Sequence, residues 1–486
     1  MSKNPVYDVV VVGNGVLGLS LALTLVRRKL RVALVGESHR PWAASTAAGA
    51  MLGSFGEVTS TLLKSKYGRL KHDLAVRATG LWNDWLNELE DNLSVSDIRA
   101  ADGTFVIHNT VGYSKIDDDN FEAIRESLKE YDEPFEDVNP TDIHWLDPES
   151  GSRPTKAVYI PNEHAVNTTQ LLRKLEESFI SLGGTLISEA GVLIERNKGR
   201  VEALVLNSGD RLICDKLVIA AGVKSQALLD TVPDVAARIP RLVSGYGVSA
   251  LVSTMDGTTP NSVIRTPNRA FSCGLHILPR SRGEVYVGAT NIISPRAVDS
   301  PMLEDVVFLL ECAYRQVRRD LSKGRMNRLQ VGNRPVSLDG FPLIGETDLN
   351  GLWMMTGTFR DGLTLSPYLS REMAKLINGE SADVDLELFK PVRQPIQPFS
   401  REEVIAETVA HTLATGYESG WRIPVGWHNQ IEYNLQSQYE KFAKDLDPVY
   451  TPPSNLLDAS SKDLIILKML SKYYMAAKQN YKSEVL

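Results

Sequence analysis

Cysteine is scarce. The chain of 486 residues holds three, Cys214, Cys273 and Cys312, odd in number and far apart. That spacing argues against a disulfide framework or a cysteine-rich metal site, and it fits a reducing compartment. No basic stripe or zinc-finger spacing appears, and the net charge is −7 with both signs mixed along the sequence, so neither nucleic acid nor a metal is expected as a partner. Internal repeats are lacking. Long uncharged runs are lacking too, with one exception near the N-terminus, YDVVVVGNGVLGLSLALTLV. Asp8 interrupts it at the start, and three glycines with Asn14 break its middle. A strand, a tight turn and a helix account for these residues better than a signal peptide or a membrane span. A soluble, cytoplasmic protein without a membrane span is expected.

What the chain does have is apolar mass, 43% of its residues, enough for two or three domains. YDVVVV (7–12) is a continuous β-branched run, as in a buried parallel strand. Gly13, Gly15 and Gly18 follow in GxGxxG spacing, then a helical pattern ending in basic residues, then the strand RVALV (31–35). A GxGxxG alone is weak evidence. Between a strand and a helix it reads as a dinucleotide phosphate loop. The acid that usually ends the second strand is displaced: the position reads Val35–Gly36–Glu37. Either Glu37 reaches the ribose through a shifted turn, or Ser38 and backbone groups do, or Glu37 is a surface acid.

Three further stretches bring small residues or glycines where a backbone could approach a ligand. AASTAAGAML (43–52) is one, and either lies against a flat ring or pyrophosphate or starts a tightly packed helix. DKLVIAAG (215–222) is a strand ending in small residues. TGTFRDGLTLSP (356–367) sets Arg360 and Asp361 between two glycines, after the strand-like LWMM and before a helical pattern. No second GxGxxG follows a later strand, so a second dinucleotide is not expected and electrons would come from a small substrate. Helices are expected near 66–90, 119–131, 167–182, 301–320, 400–415, 428–446 and 460–480, with FKPVRQPIQPF (389–399) as a proline-punctuated linker.

Taken in order, VVVVGNGVLGLSLALTLVRRKLRVALV, AASTAAGAML, LVIAAGVKSQAL, LHILPRSRGEVYVGATN and NRPVSLDGFPLIGETDLNGLWMMTGTFRDGLTLSP resemble the D-amino-acid oxidase and glycine/sarcosine oxidase superfamily of FAD-dependent oxidoreductases, over roughly residues 5–380. The resemblance implies an α/β fold: a Rossmann-like FAD-binding domain (1–90, 155–235 and 330–385) interleaved with a mixed, mostly antiparallel β-sheet substrate domain (91–154 and 236–329), plus a helical C-terminal extension (386–486). It implies cofactor contacts at Gly13, Gly15, Val16 and Gly18; at Glu37 and Ser38; at Ser45, Thr46, Ala48, Gly49 and Met51; at Ala221 and Gly222; and at Gly357, Arg360, Asp361, Gly362, Leu363 and Thr364. Arg334 and Arg360 correspond to arginines at or near a substrate carboxylate, as a planar, permanently charged fork suits. Arg334 could instead bridge to nearby Asp339. His276 stands where relatives often carry an aromatic hydroxyl, and is either a pocket wall or a catalyst. No cysteine lies near 330–345 and His39 is several residues ahead of AASTAAG, so FAD is expected to bind non-covalently.

The expected activity is oxidation of an amine, an amino acid or N-substituted amino acid, with hydride passing to flavin N5 and oxygen or another acceptor taking the electrons. Two alternatives stand beside it: oxidation of a 2-hydroxy acid with His276 as base, and a non-catalytic flavin-binding scaffold. The C-terminal helices, with apolar residues at helical spacing in LIILKMLSKYYMAAK, either pack on the rest of the chain or form a homo-oligomer contact.

Overall fold

The computed structural model describes residues 6–89, 98–109, 111, 115–268, 272–280 and 283–484. Glu90, the last residue of the expected helix 66–90, residues 91–97, 110, 112–114 and 269–271 of the expected substrate domain, and Ser281–Arg282 of the quoted 275–291 stretch lie outside them.

The strand Val6–Val12 forms the middle of a mostly parallel sheet. Val32–Val35 pairs with it on one side and Arg211–Ile219 on the other, both parallel. Leu352–Thr356 joins the outer edge of Arg211–Ile219, again parallel. Register fixes the consequence: Val12 lies level with Val35 and with Ile219, and Ile219 with Met354. The loops after these strands therefore emerge along one edge, where open α/β sheets bind ligands. Helices pack on one face of the sheet, Val16–Arg27 against Thr168–Ser181 and Gly362–Ile377. A second apolar cluster, including Val10, Leu204, Ile219 and Met354, covers the other face.

The second sheet is mixed and mostly antiparallel. Its backbone is the long pair Leu242–Ser253 and Arg325–Ser337, with Gly245 opposite Arg334. Ser272–Pro279 sets His276 opposite both Arg265 and Gly288. One expectation needs correction here. In the strand Pro154–Ile160, residues 155–160 are assigned from sequence to the nucleotide half, yet the strand hydrogen-bonds into this sheet beside Thr104–Asn109 and Glu136–Val138. Its apolar side chains find their partners there, which a strand pattern alone does not reveal. Past its first residue, the 389–399 stretch is a linker without regular structure, as expected, but it is anchored. Arg393 is buried with Asp339 at 2.7 Å and also donates to the carbonyls of Phe341, Pro342 and Phe389.

The C-terminal helices Arg401–Glu418, His428–Leu446, Ser454–Lys462 and Leu464–Glu484 follow. Ile466, Leu470, Tyr473 and Tyr474 bury themselves against Val243, Val336 and Leu338 at the rear of the second sheet. Their helical spacing is thus accounted for within the chain. Among the described residues no helix is long and apolar enough to cross a membrane.

Candidate active site

The shared edge of the first sheet and one face of the second enclose a cavity of about 480 Å³. Gly13 begins it with φ +115°, and a Cβ there would lie 2.4 Å from the Ala220 carbonyl oxygen. A Cβ on Gly18 would meet the Gly13 oxygen at 1.7 Å, so this glycine permits helix and strand to touch and does not line the cavity. Gly15 caps the helix Val16–Arg27 without any side-chain bond, and the Val16 N–H donates to the Ser45 hydroxyl at 3.1 Å. The small-residue stretch is thereby tied to the helix start.

At the far end, Gly357 (φ +71°) and Phe359 (φ +53°) turn the chain between the strand Leu352–Thr356 and the helix Gly362–Ile377. No side chain caps this helix either, because the Asp361 carboxylate is held 2.8 Å from Lys71. Pro367 leaves the Leu363 carbonyl without its helical donor, and the Ser366 hydroxyl replaces it at 2.9 Å. Two helix starts whose N-cap residues give no side-chain bond, each favouring negative charge, thus face one cavity.

Of the residues singled out from sequence, Gly13, Gly15, Val16, Glu37, Ser45, Ala48, Gly49, Met51, Ala221, Gly222, Arg334, Arg360, Asp361, Gly362, Leu363, Thr364 and His276 line the cavity. Gly18, Ser38, Thr46 and Gly357 do not. The Thr46 hydroxyl instead donates to the carbonyls of Arg40 and Ala43, holding its own turn. Glu37 lies at the rim with its carboxylate paired to Lys224, both more than two-fifths exposed.

The second sheet supplies the charged wall. Arg334 lies over Gly247, where a Cβ would come 2.5 Å from the guanidinium. It donates to the Thr290 carbonyl at 3.2 Å and more loosely to Gly245 O and Asn291 Oδ1, and has no carboxylate partner among the described residues. Asp339, the bridge partner considered from sequence, belongs to Arg393. His276 is buried and its Nδ1 lies 3.1 Å from the Gly274 carbonyl, which requires the proton on Nδ1. Burial lowers its pKa to about 3, with the nearby Arg265 and Arg334 charges adding to the effect.

Sequence reasoning missed four residues here. Tyr286 stacks on His276 at 5.7 Å and donates to the Ala47 carbonyl, so an aromatic hydroxyl does occupy this wall, one strand over. Glu57 pairs with both Arg360 and Arg265. Burial alone would raise its pKa, but the two guanidiniums and the Asn268 amide hold it well below the usual carboxylate range. Glu163 accepts N–H bonds from Ser54, Phe55 and Gly56, fixing the turn ahead of Glu57. Glu57 sits in GSFGEVTS, which carries no motif; only the unusual density of glycines hinted at a close turn.

A glycine-built crevice at a parallel sheet edge, facing a second sheet that carries buried charge, defines a dinucleotide-dependent enzyme acting on a small molecule. Residues 8–376 match the family described as DAO, FAD dependent oxidoreductase, and the chain belongs to it. It is 28% identical to the glycine oxidase of Pseudomonas aeruginosa over 394 residues, 79% of this chain and 98% of that one. Its fold is similar to that of glycine oxidase from Geobacillus kaustophilus, with a TM-score of 0.69, 22% identity and coverage of 81% and 100% of the two chains. It is also similar to iminodiacetate oxidase from Chelativorans sp. BNC1, with a TM-score of 0.67, 21% identity and coverage of 79% and 98%.

Proposed function

We propose that the chain oxidises a small amine bearing a carboxylate, an amino acid or N-substituted amino acid, with FAD held non-covalently in the cavity. The observation that carries this reading is Arg334, a guanidinium at the cavity wall bonded, among the described residues, only to neutral oxygens. Such a group calls for an anion from outside the chain. The glycine oxidase similarity supports an amino-acid substrate.

The residues present suit FAD. Gly13, Gly15 and Val16 would meet the phosphates, Glu37 the ribose, and Ser45, Ala48, Gly49 and Met51 the central portion and ring. Ala221 and Gly222 would flank the cofactor, and Asp361 to Thr364 the pyrimidine edge. FAD supplies the hydride acceptor. The chain's own part is to orient the substrate carboxylate at Arg334, to wall off water with His276 and Tyr286, and to offer the uncapped helix start at Gly362 to developing negative charge. The imine product would hydrolyse, and oxygen or another acceptor would take the electrons.

His276 bears on the choice of substrate. A neutral ring with its proton on Nδ1 presents Nε2 as a hydrogen-bond acceptor, suited to an amine N–H. A pKa of about 3 makes it a poor base for a hydroxyl proton, so the 2-hydroxy acid reading lacks its catalyst.

The test is anaerobic mixing of the FAD-loaded protein with panels of amino acids and of 2-hydroxy acids. Bleaching of the flavin absorbance by amino acids is expected, and its loss at low substrate in Arg334→Met with FAD retained. Bleaching by hydroxy acids alone overturns the proposal.

A further inference from the structure

Glu57 enters the cavity wall between two guanidiniums. Its Oε1 accepts from Arg265 Nη1 at 2.5 Å, and its Oε2 accepts from Arg360 Nη2 and from Asn268 Nδ2, the latter at 2.9 Å. The two arginines are not alike. Arg265 is enclosed, 1% exposed, with its other N–H groups on the Thr266 carbonyl and Asn268 Oδ1. The side chains of Arg360 and Glu57 are 16% and 19% exposed, and both line the cavity.

Nor can Glu57 swing aside easily. Three N–H groups of the preceding turn are held by Glu163, and Asn268 Nδ2 also grips the Glu57 carbonyl at 2.8 Å. The carboxylate is a fixed part of the wall, in the place where Arg360 would otherwise offer its fork to an acid from solution.

We propose that Glu57 determines specificity: it fills from within the chain the acid-binding position at Arg360, so that the site takes amines carrying one carboxylate, held by Arg334, and turns away those carrying two. This rests on Arg334 as the carboxylate receptor. A second carboxylate brought to this wall would meet a like charge in a space shielded from water, beside a guanidinium already engaged. The fold itself imposes no such limit, since iminodiacetate oxidase shares it and iminodiacetate carries two carboxylates. The choice lies in the charges at this one wall.

The test compares the full-length, FAD-loaded protein with its Glu57→Gln and Glu57→Asp variants on glycine, N-methylglycine, aspartate and iminodiacetate. The ratio of kcat/KM for dicarboxylates to that for monocarboxylates should rise about tenfold or more in Glu57→Gln and stay near the parent value in Glu57→Asp. An unchanged ratio in Glu57→Gln, or a parent protein that already prefers dicarboxylates, overturns the proposal. Removing the anion leaves two guanidiniums to repel, so thermal unfolding is followed as well. Malonate should raise the midpoint of Glu57→Gln more than acetate does, with no such preference in the parent; equal responses count against it. Arg334→Met judges the underlying reading separately. If its KM for glycine is unchanged, Arg334 is not the receptor, whatever the Glu57 ratio shows.

Discussion

The two ends of the cavity recognise by different means. One end is backbone and glycine: Gly13, Gly15, the small residues 43–49 and the helix start at Val16. The other is built from long charged and aromatic side chains: Glu57, His276, Tyr286, Arg334 and Arg360, with Arg265 enclosed behind Glu57. Backbone recognition needs neighbours in the sequence, because one turn must present several N–H groups at once. Side-chain recognition draws single residues from separate strands and turns, brought together by sheet register and by the ion pairs of Glu57. The first end suits an invariant cofactor, and the second can be altered one residue at a time to suit a substrate.

If that division holds, glycine substitutions at the first end should have the largest effects, and they should differ among themselves. Gly18→Ala would force a Cβ against the Gly13 backbone at 1.7 Å, with no flexible side chain to yield. Loss of more than about 3 kcal/mol of stability is expected, measured by chemical unfolding. Gly15→Ala faces only the Ser45 hydroxyl at 3.3 Å and has an ordinary φ of −73°. It should fold, and lose FAD affinity by about tenfold or more in a flavin-fluorescence titration, since the new methyl borders the cavity. Equal stability losses in the two variants would break the distinction between packing and cofactor glycines.

At the opposite end Arg334→Met should leave FAD bound and raise KM for the amino-acid substrate by about 10- to 100-fold, the worth of a charge-assisted pair. Steady-state kinetics beside a flavin spectrum decide this. A loss of FAD instead would mean that the two ends are not separable.

The same division explains what could be read in advance. GxGxxG between strand and helix, the small-residue stretch and the strand-turn-helix at 352–377 announce themselves because each is contiguous. Arg334 was found through a resemblance, and Glu57, Arg265 and Tyr286 were not found at all, since nothing local marks a residue whose partners lie some 200 to 300 positions away. The anchoring of the 389–399 linker is invisible in sequence for a related reason. Its prolines speak of a chain without regular structure, whereas the burial of Arg393 against Asp339 is a long-range fact. Arg360 was legible as a cavity residue, but its tie to Glu57 was not, and that tie decides what it can bind.

A smaller effect is expected at His276. Its folded pKa of about 3 lies below the ordinary 6.5, so the unfolded chain binds a proton that the folded chain does not throughout that window. The stability it contributes is complete above pH 6.5 and is lost as pH falls toward 3. His276→Gln should therefore lose stability less steeply than the parent between pH 6.5 and 4 in thermal unfolding. Activity should show no step from this residue between about pH 5 and 9, and the profiles of parent and variant should run parallel. A step near neutrality that the variant abolishes would make His276 a catalytic base and restore the hydroxy-acid alternative.

The smallest effect belongs to Glu37, an acid at the rim of the backbone end. Its partner Lys224 is 69% exposed and Glu37 itself 46%, so their pair contributes at most about 1 kcal/mol. If the pair were the whole of its role, Glu37→Gln and Lys224→Ala should alter FAD affinity equally, and hardly at all. The Asn14 amide, however, donates to the Glu37 carbonyl at 3.0 Å, and Gly36 leaves no Cβ to push Asn14 away. This draws the displaced acid toward the phosphate turn, where a carboxylate can accept from ribose hydroxyls. Glu37→Gln is therefore expected to weaken FAD binding about three- to tenfold, and Lys224→Ala less than about twofold, both by flavin titration. Equal, small changes would return Glu37 to the role of a surface acid.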